Sequence, residues 1–254
     1  MKNVRLQIEY DGTDFHGWQR QLGKPTIQAL LEDNLSDVLG KRVIVYGASR
    51  TDSGVHARCQ VAHFYCDSET IPSHQWKYIL NYRLPRTIRV QESEEVPFAF
   101  HSQKDAIEKT YEYRVLNRPM ASALDRRVYF YPGKLDWKKM QETLPHFVGT
   151  HDFRAFQGAK ATVLTTVRTV HAFSLLTESE GLYRFEIRGS GFLKQMVRAI
   201  LGTVFEVGEG KLSPEAIPTI LASKDRRQAG RTLPPYGLCL VCIRYPEYSA
   251  RPLC

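Results

Sequence analysis

The chain has 254 residues, 43% hydrophobic and 24% charged, the balance of a folded protein with one large domain or two ordinary ones. Lys plus Arg number 35 against 27 for Asp plus Glu, and the resulting formal charge of +8 is compatible equally with a polyanionic partner and with an ordinary soluble protein that is basic. No apolar run approaches the roughly 20 residues that cross a bilayer, and no signal-peptide core follows Met1. Five scattered cysteines (Cys59, Cys66, Cys239, Cys242, Cys254) do not read as a disulfide framework, so a cytoplasmic protein is expected.

In chain order, Val4, Leu6 and Ile8 alternate with polar residues, which predicts a strand over 3–10. Thr26 is placed to cap a helix whose apolar stripe is Ile27, Leu30, Leu31, Leu35 and Val38. Strands are expected at Arg42–Tyr46, Gln60–Tyr65 and Thr87–Gln91, with a second helix opening at Ser73 and burying Trp76, Ile79 and Leu80. The order β-α-β-β-α-β is ferredoxin-like. Further on, strands are expected at Lys109–Leu116 and Val128–Tyr131, a short helix at Asp136–Leu144, and a hairpin from Thr165–Leu176 and Leu182–Arg188. A helix from Phe192 carries Leu193, Met196, Val197, Ile200, Leu201 and Val204, another begins at Ser213-Pro214, and a strand spans Leu238–Arg244. Cys239 and Cys242 fall on that strand, three apart and on opposite faces, so they read as core packing and not as a metal site. The fold class is α+β, in two ferredoxin-like (RRM-like) halves with merged antiparallel sheets: 1–105 and 106–254.

Four clusters could carry chemistry. The first, Tyr10-Asp-Gly-Thr-Asp-Phe-His-Gly-Trp-Gln-Arg20, is a loop whose rings could stack on bases or tuck Phe15 and Trp18 into the core. In Gly47-Ala-Ser-Arg-Thr-Asp-Ser-Gly-Val-His-Ala57, the residues Arg50, Asp52 and His56 crowd a turn between two strands. A carboxylate there is either a nucleophile or base, or a plain turn-forming Asp. On Lys109-Thr-Tyr-Glu-Tyr-Arg114, Tyr111 and Tyr113 share one strand face, as packing or as a wall for a base. In Gly189-Ser-Gly-Phe-Leu-Lys-Gln-Met-Val-Arg198, the spacing of Lys194 and Arg198 puts two cations on one helix flank, either as a solvated basic face or to pair with a catalytic carboxylate or a phosphate. No nucleotide-binding glycine loop, zinc-deaminase pattern, H-E-x-x-H or nucleophile elbow is present, so any activity should run on side chains alone.

Taken together, these clusters resemble the TruA family of tRNA pseudouridine synthases. The resemblance rests on Tyr10-Asp-Gly-Thr with Gly17-Trp-Gln, Arg50-Thr-Asp-Ser-Gly-Val-His-Ala and Lys109-Thr-Tyr. It continues through Gly149-Thr-His-Asp-Phe153, Gly191-Phe-Leu with Met196-Val-Arg, and Pro234-Pro-Tyr-Gly-Leu238. It implies the pseudouridine synthase fold and an isomerase, acting without cofactor or metal, that converts uridine to pseudouridine at positions 38 to 40 of the tRNA anticodon stem-loop. Family members are homodimers. Asp52 corresponds to the catalytic aspartate, which attacks the nucleoside or takes a proton from its ribose. Tyr111 corresponds to the tyrosine stacking on the uracil, Arg198 to the arginine pairing with the aspartate, and Arg50 to a residue that flips or holds the RNA. The chain departs from the family pattern at Ser49 (usually Gly), Ser53 (usually Ala) and Gln103 (usually Arg), and the last bears on the RNA footprint. A different class, a catalytically idle RNA-binding protein with the same shell, is disfavoured by the intact Arg50-Thr51-Asp52.

Overall fold

In the computed structural model, which describes residues 1–159 and 163–246, the first strand is β1 (Lys2–Tyr10). Its alternating Val4, Leu6, Ile8 and Tyr10 are all buried. β1 pairs antiparallel with both β3 (His56–Cys66) and β4 (Ile88–Val96), which makes it a central strand. Between them run α1 (Ile27–Leu39), the two-residue strand β2 (Tyr46–Gly47) and α2 (Trp76–Arg83). The expected β-α-β-β-α-β order is therefore present. Thr26 caps α1 through Ala29 N, and Gly40 closes it in the left-handed conformation. Trp76 meets Phe64 edge to face at 5.3 Å, seating α2 on the sheet. Leu30, Val38 and Ile79 are only half-buried, at the margins of their stripes.

One strand is mostly missing: 42–46 pairs only at Tyr46–Gly47. Val43 and Val45 are buried as the alternation requires, but their backbone partners are side chains of α1. Ser36 Oγ accepts from Val43 N at 2.9 Å, Glu32 Oε1 accepts from Val45 N at 3.1 Å, and Gln28 Nε2 donates to Val45 O at 2.9 Å. Polar atoms of the helix thus satisfy groups that a ladder would otherwise pair. On β3, β2 pairs antiparallel at Ala62 and His63, while β10 (Leu238–Arg244) pairs parallel at His56 and Ala57.

The described residues divide into two compact units, 1–109 with 239–246, and 110–159 with 163–238. In the second, β5 (Glu108–Leu116) continues from the first, and the strand order is β5-β9-β8-β7. Here β7 is Gly149–Asp152, β8 Val167–Ser179 and β9 Leu182–Gly189, with β6 (Tyr129–Phe130) parallel to β5. β8 and β9 form the expected antiparallel hairpin, turning at Gly181 with φ +72°. α3 (Trp137–Thr143) is capped by Asp136, α4 spans Met196–Gly208 and α5 spans Ala216–Ser223. Phe147, Phe153, Phe156, Phe185 and Phe205 are fully buried in this unit. Both units are α+β; β1–β3, β1–β4, β2–β3, β7–β8 and β8–β9 pair antiparallel, and β3–β10 and β5–β6 pair parallel.

Four local expectations change. α4 begins at Met196 and not at Phe192, because Gln195 sits in the left-handed region at φ 59° and breaks the run. Lys194 therefore precedes the helix, and it does not form an i, i+4 pair with Arg198. α5 begins after a turn closed by Ala216 N to Ser213 O. β7 was not expected as a strand; its four residues are too few to show a period. Cys239 and Cys242 are half-buried instead of core, Cys239 as a free thiol. Cys254 lies outside the described residues.

Candidate active site

The Asp52 turn follows the point where the chain leaves β2. Ala48 N still donates to Val61 O at 2.8 Å, as a strand would. At Ser49 the side chain of Gln60 takes over: its Nε2 donates to Ser49 O at 2.6 Å and its Oε1 accepts from Ser49 N at 3.2 Å. Thr51 is held twice, its hydroxyl against Tyr10 OH at 2.7 Å and its carbonyl by Trp18 N at 3.1 Å. Val55 N closes the turn onto Asp52 O at 3.2 Å, Gly54 supplying φ +78°. Lys109 Nζ donates to Ala48 O at 2.6 Å. The backbone is thus pinned on both sides of Asp52, whose side chain is half-buried, while Arg50 is exposed.

The Tyr10–Gln21 loop buttresses this turn. Gly12 lies so close to it that a Cβ there would stand 2.0 Å from Val55 O. Its N–H donates to His56 Nδ1 at 3.1 Å, and Asp11 Oδ1 approaches the same nitrogen at 3.1 Å. Phe15 and Trp18 are buried, so their rings pack and do not offer stacking surfaces. Sequence order alone separates this loop from the turn by some thirty residues, and the fold makes them neighbours.

In the second unit Tyr111 is 6% exposed on β5, its ring edge to face with Phe192 at 5.3 Å. Tyr113, fully buried, donates to Pro234 O at 2.9 Å. Burial holds its hydroxyl well above the usual tyrosine range, Tyr129 and Tyr236 add to this, and Arg198 opposes it. Arg198 stands in the first turn of α4, half-buried, where the helix dipole disfavours a cation. Two reciprocal bonds fix it: Nε donates to Leu233 O at 2.6 Å, and Leu233 N donates to Arg198 O at 3.1 Å. Leu233 and Pro234 thereby anchor Arg198 and Tyr113 respectively. Among motif residues, Asp152 is structural: it caps Phe153–Phe156 through Arg154 N and accepts from Thr166 Oγ1 at 2.5 Å. Gln103 is exposed. Among the described residues no group of three or more His, Cys, Asp or Glu is arranged to hold a metal ion.

Sequence reading did not single out Gln60 or the grip of Lys109 on Ala48. The signal for Gln60 was one amide in an apolar strand, at a position the structure buries completely.

A family model described as tRNA pseudouridine synthase matches residues 7–103 and 144–246. The chain is 46% identical to tRNA pseudouridine synthase A of Acetivibrio thermocellus over 246 residues, covering 96% of this chain and 100% of that one. It is 43% identical to the enzyme of the same name from Clostridium acetobutylicum over 246 residues, with the same coverage. The crystal structure of the archaeal box H/ACA sRNP Nop10-Cbf5 complex aligns at a TM-score of 0.36 and 10% identity, over 80% of this chain and 43% of that one, too distant to bear on the reading. The extent of the match, from the Tyr10 loop through the Asp52 turn to the last strand, assigns this chain to the tRNA pseudouridine synthase family, isomerases that convert uridine to pseudouridine in tRNA.

Proposed function

We propose that this chain isomerises uridine at positions 38 to 40 of the tRNA anticodon stem-loop, with Asp52 as the catalytic carboxylate. The observation that carries the reading is a half-buried acid on a turn whose backbone is clamped on both sides, in a chain of this family. A uracil inside a stem is unreachable, so the nucleotide is everted at a cost of a few kcal/mol. Stacking on Tyr111 offsets roughly 1–3 kcal/mol of that. Asp52 attacks the nucleoside or takes a proton from its ribose. The bond from C1′ to N1 breaks, the uracil turns in place, C1′ joins C5, the C5 proton leaves to solvent and N1 is protonated. Nothing is oxidised or hydrolysed, so the reaction needs no cofactor. Arg198 pairs with Asp52 and orients it, and Arg50 holds the flipped strand. Gln103, where relatives by resemblance carry Arg, trims one RNA contact. The working form is a cytoplasmic homodimer that binds tRNA through phosphate contacts.

The test is tritium release from tRNA labelled at uridine C5. Asp52→Asn should bind tRNA within about twofold of the parent and lose turnover by roughly a thousandfold or more. Substantial release by that variant would remove Asp52 from the chemistry.

A further inference from the structure

We infer that Gln60, together with Tyr10, is a positioning residue for the Asp52 turn: its side-chain amide replaces a missing strand neighbour and sets where the carboxylate stands. This rests on the reading of Asp52 given above.

Gln60 is completely buried. Few polar side chains are buried this deeply without a set of fixed partners. Its amide meets Ser49 as a peptide group would, accepting from Ser49 N at 3.2 Å and donating to Ser49 O at 2.6 Å. It also lies 3.4 Å from Tyr10 OH. That hydroxyl touches Thr51 Oγ1 at 2.7 Å, so one buried network reaches both Ser49 and Thr51, three residues and one residue before Asp52. Tyr10 itself is 2% exposed, on the central strand β1. The turn is thereby fastened to the β1–β3 ladder, and not only to another loop. A glutamine is suited to this task because it donates and accepts at once, in one plane. A carboxylate at the same place can accept from Ser49 N but repels Ser49 O. A neutral carboxylic acid can do both.

That difference supplies a readout which plain packing would not move. In Gln60→Glu the buried carboxyl should titrate above the ordinary value of about 4.3, because burial disfavours the charged form. Below that transition the acid mimics the amide; above it the clamp is broken. The experiment measures kcat and KM for tritium release with Gln60→Glu and Tyr10→Phe across pH 5 to 9, with thermal midpoints alongside. The expected result for Gln60→Glu is a kcat lowered roughly ten- to hundredfold at the alkaline end. KM for tRNA should stay within about threefold, and the ratio of variant to parent kcat should recover on acidification. Tyr10→Phe, which keeps the ring and loses the hydroxyl, should lower kcat several-fold without a new pH dependence. Should Gln60→Glu fail to fold, Tyr10→Phe decides. The inference is overturned if folded Gln60→Glu keeps parental kcat throughout, or its deficit is flat with pH. It is equally overturned if folded Tyr10→Phe keeps parental kcat. Asp52→Asn is measured in parallel. If it retains turnover the reading of Asp52 has failed, whereas a dead Asp52→Asn beside parental Gln60 and Tyr10 variants sinks this inference alone.

Discussion

The rings of Tyr111 and Phe192 meet edge to face, with centroids 5.3 Å apart and planes at 88°. Such a contact is worth about 0.5–1.5 kcal/mol beyond burial and fixes the plane of the tyrosine ring. Tyr111→Phe should therefore keep tRNA affinity and lose several-fold in kcat, the hydroxyl alone being removed. Phe192→Ala should leave the hydroxyl and loosen the ring, raising KM by roughly two- to tenfold, which is the value of the edge contact. Steady-state tritium release separates the two. Parental kinetics for Tyr111→Phe would deny the hydroxyl any part.

Arg50 is exposed beside a half-buried Asp52, which suits a phosphate contact better than a structural one. Binding of tRNA should weaken linearly in log salt as counterions are released. Arg50→Ala should lower the slope by about 0.7–0.9, the share of a single phosphate. Filter binding between 50 and 300 mM salt measures it, and an unchanged slope would place Arg50 away from the phosphates.

A methyl group at Gly12 would stand 2.0 Å from Val55 O, backbone against backbone, with no flexible side chain to give way. Gly12→Ala should destabilise the protein by about 2–3 kcal/mol, read from the urea midpoint. Gly191, where an added Cβ meets nothing within 4 Å, is the control: Gly191→Ala should leave the midpoint nearly unchanged.

Glu209 is drawn down from the ordinary 4.5 to about 2, first by its hydrogen bond from Arg231, against burial, with Lys211 and Tyr131 assisting. A folded-state value below the unfolded one means the stabilisation is complete above about 4.5 and fades as pH falls toward 2. Glu209→Gln should therefore be less stable than the parent near neutral pH, by on the order of 2 kcal/mol. The difference should shrink between pH 4.5 and 2. A gap that stays constant through that window would show that the carboxylate's charge is not what Arg231 holds.

Much of the fold was legible because local periodicity and caps agree with the tertiary arrangement. Thr26 before Ile27, the alternation of Leu182–Arg188 and the strand Leu238–Arg244 each satisfy one local rule, and each appears as expected. The misses have specific causes. Val43 and Val45 alternate correctly, yet their backbone partners came from Ser36 and Glu32, which no pattern within 42–46 encodes. Gln195 adopts a left-handed conformation, and a residue-by-residue helix stripe cannot anticipate it.

The order and chemistry of its motifs by themselves pointed to the tRNA pseudouridine synthase family and to Asp52 as the proposed acid, because those residues stand as contiguous runs that can be read directly. Tertiary structure decided what holds the Asp52 turn in the first unit and Arg198 in the second. The clamp on Ser49 comes from Gln60, the brace on Thr51 from Tyr10, and the anchor of Arg198 from Leu233. Those partners lie between 11 and 41 residues apart in sequence. Hydrogen bonds depend on distances of about 3 Å, and only the closed ladder and the packed helix bring such remote residues that near.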